Sequence, residues 1–350
     1  MTRSRTYIAT PPGATIKEQL IDRGMSQKEF AFRMNMSEKH ISRLINGDVQ
    51  LTPDVALRLE IVLGIEAGFW TRLEAIYREK LARVEAENSL DEDEEIAKIL
   101  PYSEMATFEW VPKTKDSKEK IAHLRRYFEV VTLASINNNS ISRIACRRLA
   151  LTQKSDLALL AWAQEARIKS REIATKSIDI NALTNNLVSI RRMTTQSPDV
   201  FCPSLKALLS DCGVALVLLP HLKGSFLQGA SFYEGNKIVL GLTTRDKDAD
   251  KFWFSLFHEL AHIVLGHLGK PDGTTENDEL QADKWAQDYL IPEYEIKDFI
   301  DTHDYSSESI ESFANKLGIA PGIVVGRLQS EKELKHNMFN DLKEQYVIKF

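Results

Sequence analysis

The stretch that most restricts how this chain can fold is Phe257-His258-Glu259-Leu260-Ala261-His262. It reads H-E-x-x-H, and apolar residues surround it from Phe252 to Leu268. Residues four apart on a helix lie on one face, so His258 and His262 point two imidazoles at one ion. Glu259 sits one step round, within reach of a water beside that ion. Phe254, Phe257, Ala261, Val264 and Leu268 follow the same three- and four-residue spacing and predict a buried stripe. A core helix that also carries two histidines and a glutamate needs a reason for them. A hydrolytic zinc site, with two ligands and a general base on one turn, is such a reason.

Catalytic zinc takes three protein ligands and leaves one position for water. The candidate third ligand is Glu279, in a helix with Asn277 as its expected N-cap and Pro292 just past its end. Asp283, four residues on, would hold the free N–H of a ligand histidine. A solvated acidic helix face is the alternative for this pair, and His267 is a rival third ligand. The metzincin pattern requires Gly three and His six residues after the second His. Those positions hold Leu265 and Leu268, so that reading fails. Tyr289, His267 and His221 are candidates for stabilising an oxyanion.

H-E-L-A-H-I-V-L-G-H followed by E-L-Q-A-D-K-W-A-Q-D-Y-L-I-P resembles the ImmA/IrrE family of bacterial metallopeptidases. Residues 310–329 are similar to that family's C-terminal segment, so the resemblance covers about 202–329. The position before Ala282, often acidic in the family, is Gln281 here. The resemblance implies a site-specific protease that cuts helix-turn-helix repressors and so switches phage, mobile-element or stress genes.

From the N-terminus, residues 14–84 read as five helices. The first runs from about Thr15 to Arg23. Ser26-Gln27-Lys28-Glu29 is a capping box opening the second, through Met34. Ser37 caps a third, Glu38 to Ile45, stopped by Asn46-Gly47. Thr52-Pro53 opens a fourth, and a fifth spans Ala67 to Val84. Leu20, Phe30, Ala31, Met34, Ile41, Leu44, Val55, Leu59 and Leu63 are its expected core. Two short helices joined by a tight turn describe a helix-turn-helix. The third helix would enter the major groove with Lys39, His40, Ser42 and Arg43. Gln27 and Ser37, at helix N-termini, complete the expected DNA contacts. Residues 1–84 carry 13 Lys/Arg against 10 Asp/Glu, while the whole chain has net charge −5. That local excess suits double-stranded DNA. A helical protein-binding module is the alternative.

S-Q-K-E-F-A-F-R-M-N-M-S-E-K-H-I-S-R-L-I-N-G resembles the Xre-type helix-turn-helix. The following L-T-P-D-V-A-L-R-L-E-I-V-L-G-I-E-A-G-F-W is similar to its HigA antitoxin branch. This resemblance, over residues 12–80, implies operator binding as a homodimer. Phe69, Trp70, Leu73, Ile76 and Tyr77 form a stripe that is either the dimer seam or intramolecular core.

Residues 85–95 are acidic and read as a solvated helix end or hinge, or as a strip covering the recognition helix. Residues 118–131, 140–149, 156–173 and 180–192 have helical spacing. Their arginine pairs, Arg125-Arg126, Arg147-Arg148 and Arg191-Arg192, together with Arg143, are either plain surface or a sensor for single-stranded nucleic acid. Trp110 and Trp162 read as core anchors. Val214 to Leu219 is a buried strand, and Ala230–Tyr233 with Lys237–Leu242 form a hairpin. Residues 310–329 resemble a further helix-turn-helix, but their apolar content fits packing.

Three scattered cysteines argue against a disulfide framework and for a reducing compartment. No apolar run is long enough to span a bilayer or serve as a signal peptide. The expectation is a cytoplasmic, mostly α protein with a small α+β part. It has a five-helix helix-turn-helix domain (1–84), an acidic linker (85–105), a helical middle region (106–200) and a zincin-like metallopeptidase domain with a small sheet (201–350). The expected function is a DNA-binding regulator with a Zn²⁺ endopeptidase that cuts itself or a partner repressor. The alternative is a HigA-type antitoxin and autorepressor whose C-terminal domain binds a toxin or signal without proteolysis.

Overall fold

A computed structural model describes residues 2–4, 7–137, 153–225, 228–243, 248–270 and 273–346. Packing divides the chain into two units, Met1–Glu95 and Ile96–Phe350. The helix expected over 140–149, with Arg143 and Arg147-Arg148, lies outside the described residues.

In the first unit a short antiparallel pair, β1 (Thr2–Arg3) and β2 (Ile8–Ala9), precedes α1 (Pro12–Asp22), α2 (Gln27–Arg33), α3 (Glu38–Asn46), α4 (Pro53–Leu63) and α5 (Ala67–Ile99). Local chemistry sets these limits. The side chains of Ser26, Ser37 and Thr52 accept hydrogen bonds from the backbone N–H of Glu29, His40 and Val55, which caps α2, α3 and α4. Gly47 and Gly64 end α3 and α4 in the left-handed conformation. The box at α2 is half made, because the Glu29 carboxylate turns to Arg33 at 2.6 Å. All nine expected core residues are buried in one cluster.

The aromatic stripe on α5 divides. Trp70 and Tyr77 are buried within the unit, Leu73 packs on its core, and Phe69 and Ile76 are exposed. α5 does not stop at Val84. It continues through the acidic residues, which are mostly exposed, although Asp93 is buried.

The second unit opens with α6 (Tyr102–Thr107), α7 (Ser117–Phe128), α8 (Gln153–Arg171), α9 (Ile180–Arg192) and α10 (Pro198–Asp211). β3 (Val214–Leu219), β4 (Gly229–Glu234) and β5 (Lys237–Thr243) form a sheet of order β3-β5-β4. β3 runs parallel to β5, and β4 antiparallel to it. The helices α11 (Ala249–Val264), α12 (Glu276–Leu290), α13 (Glu293–Asp301), α14 (Ser307–Leu317) and α15 (Pro321–Ser330) follow.

The sheet is buried on both faces, which is why β3 is a continuous apolar run rather than an alternating one. Val217, Leu219, Phe232 and Val239 face a core built with α8. Leu216, Leu218, Ile238 and Leu240 face a second core with α9, α10, α11, α14 and α15. Residues 106–200, read from the sequence as a region of their own, therefore share both cores with the sheet. Trp162 of α8 is fully buried, donates to Pro220 O, and lies over Gly241, where a Cβ would come within 2.6 Å of its ring. Trp110 packs against the same core. Arg191 is no free basic spot: its Nε donates to Leu290 O at the C-terminus of α12. The segment 310–329 forms α14 and α15, whose apolar residues enter the second core. Among the described residues no helix is long and apolar enough to cross a membrane.

Candidate metal centre

α11 and α12 pack closely, and they bring His258, His262 and Glu279 together: one ligand atom from each lies within 4.8 Å of the others. The Nε2 atoms of His258 and His262 face each other at 3.0 Å. Glu279 Oε2 is 3.2 Å from His258 Nε2, and Oε1 is 3.6 Å from His262 Nε2. Both Glu279 oxygens are buried without a hydrogen-bond partner. Two ring nitrogens and a carboxylate converging out of water form a set of acceptors that a divalent cation would satisfy. The residues therefore fit a metal. Gln281, by contrast, is exposed.

α12 starts at Glu276 rather than after Asn277. Thr275 is its N-cap, in a full capping box with Asp278. Asn277 falls in the first turn because Thr275 and Asp278 have the spacing in which each side chain reaches the other's N–H.

Each histidine has a different partner on its other nitrogen. His258 Nδ1 is 2.9 Å from Asp283 Oδ1. His262 Nδ1 is 3.1 Å from His267 Nδ1, and His267 Nε2 is 3.7 Å from Asp278 Oδ1. Asp278 in turn accepts from Lys270 Nζ at 2.7 Å and 2.8 Å. His267, the rival third ligand, lies beside His262 Nδ1 and is not among the three residues whose atoms converge. Burial disfavours charge on His258, yet the nearby carboxylates of Asp283 and then Glu279 push it up to about 10. Burial would raise Glu279, but His258 and His262 outweigh it and hold the carboxyl below its usual range. Burial and then His262 lower His267, and the Lys270 hydrogen bond lowers Asp278.

Glu259 is 2 % exposed and accepts from Ser231 Oγ at 2.6 Å. Burial raises its pKa, against the pull of His258 and His262. Gly229, two residues before Ser231 on β4, makes room for it: a Cβ there would lie 2.7 Å from Glu259 Cγ. Sequence reading missed Ser231, Gly229, Asp278 and Lys270. Only the parity of 229 and 231, which share one face of a strand, hinted at the first two. Of the oxyanion candidates, Tyr289 lies in an aromatic stack with Phe257 and Trp285, and His221 sits in the turn after β3.

In the first unit, Lys39, Ser42 and Arg43 share one face of α3, and Lys39 and Arg43 are exposed. His40 is half-buried, Gln27 is exposed at the start of α2, and the Ser37 hydroxyl caps α3.

Both halves match known families. Residues 16–70 match the helix-turn-helix family, and residues 228–329 match the IrrE N-terminal-like domain of a peptidase family. The uncharacterized HTH-type transcriptional regulator YddM of Escherichia coli is 34% identical over 80 residues, which make up 23% of this chain and 81% of that protein. The chain belongs to the HTH-type transcriptional regulators, and its helix-turn-helix domain is fused to an IrrE-like peptidase domain.

Proposed function

We propose that this protein is a transcriptional regulator whose second unit is a zinc-dependent endopeptidase, acting on the chain itself or on a partner repressor. In this reading residues 1–84 read DNA as a homodimer, 85–105 lead from that domain into the second unit, and the helices of 106–200 share the cores of the sheet in 201–350, which carries the peptidase. His258, His262 and Glu279 hold the metal, and Asp283 orients His258. A bound zinc ion would polarise a peptide carbonyl and acidify a water beside it. Glu259 takes the proton of the attacking water and returns it to the leaving amine. Ser231 holds the Glu259 carboxylate in place by donating to Oε2. Among the described residues β4 pairs with a strand only on its β5 side, and in this reading its outer edge takes an extended peptide by strand addition.

The observation that carries this reading is the buried Glu259 beside three converging ligand atoms. A purely toxin-binding domain has no need of it, and a structural zinc site would normally have four protein ligands. On the DNA side Gln27, Ser37, Lys39, His40, Ser42 and Arg43 are the proposed contacts, and α3 is the reading helix.

The test is intact-mass analysis of the full chain with Zn²⁺, with and without single-stranded DNA as trigger. It is run beside Glu259→Gln and with the repressors and toxins encoded next to it. Fragments in the wild type, with rates about 10²-fold or more lower in Glu259→Gln, are expected. Equal cleavage by the variant contradicts the mechanism. Intact chains in every lane, with a captured toxin, would instead support the antitoxin and autorepressor.

A further inference from the structure

The face of β4 toward α11 is unlike the rest of the sheet. Successive residues of a strand point to opposite sides. Ala230 and Phe232 enter the core built with α8. Gly229, Ser231 and Tyr233 therefore point the other way. Across the pair, Leu240 beside Ser231 and Ile238 beside Tyr233 are buried in the second core. β4 itself adds no buried apolar side chain on that side. It offers a glycine, a serine and a tyrosine that is 50% exposed.

These residues follow the line of α11. Gln228 Oε1, just before β4, accepts from Ser255 Oγ at 3.2 Å, and Ser231 donates to Glu259. Strand and helix thus advance in the same sense, and Tyr233 comes next after Glu259, toward the end of α11. Its ring lies where this puts it. A Cβ on Gly269, in the turn after α11, would be 3.3 Å from the ring. His267, the neighbour of His262, is in the same turn. One side of the ring rests on that turn, and half of the residue faces solvent.

We propose that Tyr233 is a specificity-determining residue: its ring packs against a large apolar side chain, aliphatic or aromatic, of a peptide laid along β4. The proposal rests on the reading of β4 as the strand to which a peptide adds. Residues directly opposite on paired strands hold their Cβ atoms about 5 Å apart, and residues two apart share a face. A peptide residue opposite Ser231 lies beside Glu259, where the bond is cut. The residue two further along lies opposite Tyr233, with its side chain on the side of the ring. An apolar side chain there covers the exposed part of the ring, whereas an acidic one meets its negative face.

The test uses the full zinc-loaded chain and a random peptide library. Cleavage by the wild type is expected to favour a large apolar residue at one position within about three residues of the cut bond. Tyr233→Ser is expected to lose that preference, about two- to fivefold, in KM rather than kcat and with zinc content unchanged. Tyr233→Phe keeps the ring and is expected to keep the preference. A fall in kcat in Tyr233→Phe with the preference intact gives the role to the hydroxyl and overturns the proposal. Preference surviving in Tyr233→Ser, or charged residues enriched at that position, also overturns it. Library peptides retained by Glu259→Gln separate this outcome from the peptidase reading. Retention with a Tyr233-dependent apolar preference, but no cleavage by the wild type, supports the role of Tyr233 and overturns the peptidase. Cleavage without preference overturns the role of Tyr233 and leaves the peptidase standing. Neither cleavage nor retention overturns both.

Discussion

His258 and His262 differ in what holds them, and this decides where their protons sit. For His262 to offer Nε2 to a cation, its Nδ1 must carry the hydrogen, which it then gives to His267 Nδ1 at 3.1 Å. His267 is left with its hydrogen on Nε2, the side of Asp278. His267→Phe is therefore expected to lower zinc affinity about 10- to 100-fold, measured by chelator competition. Affinity unchanged within about twofold would show that the contact does not matter. His258 has the carboxylate of Asp283 instead, and its pKa of about 10 lies above the ordinary 6.5. The raised value means that His258 binds a proton throughout the neutral range, and a metal must displace it. Zinc affinity is expected to climb with pH from about 6 to about 9, roughly tenfold per unit for each proton released. A flat profile would contradict this.

At the scale of the element, what was legible in the sequence was local. The Ser26, Ser37 and Thr52 caps, the glycine stops and the 3.6-residue apolar period all act within one turn, so α2, α3 and α4 could be read directly. The pairing of His258, His262 and Glu279 was legible because both helices repeat a four-residue spacing. Contacts made across the fold were not. Ser231 meets Glu259 across 28 positions of chain, and Lys343 meets Asp250 across 93. The parallel pairing of β3 with β5, with β4 at the edge, leaves no mark in the order of the strands. The α5 stripe divided because Trp70, Leu73 and Tyr77 share one face of the helix, toward the unit's interior, while Phe69 and Ile76 point to solvent. For α3, Arg43→Ala is expected to weaken operator binding and reduce the slope of log K against log salt by about 1. An unchanged salt slope in a binding titration would remove Arg43 from the contact set.

At the scale of the molecule, the chain is two units: one carries capped helices with a basic face, the other a buried cluster of His258, His262 and Glu279 that fits a metal ion. Composition could show that neither cysteine chemistry nor a membrane-spanning helix organises the chain. It could not show that the helices before residue 200 wrap the same sheet that positions Glu259. The peptidase reading of the second unit depends on His258, His262 and Glu279 forming a three-ligand site with one position open. Anomalous diffraction at the zinc edge from crystals of the full chain tests that directly. The expected result is one peak bound by Nε2 of both histidines and the Glu279 carboxylate, with Glu259 close by but not a ligand. A peak elsewhere, a fourth protein ligand closing the site, or no zinc at all would contradict it.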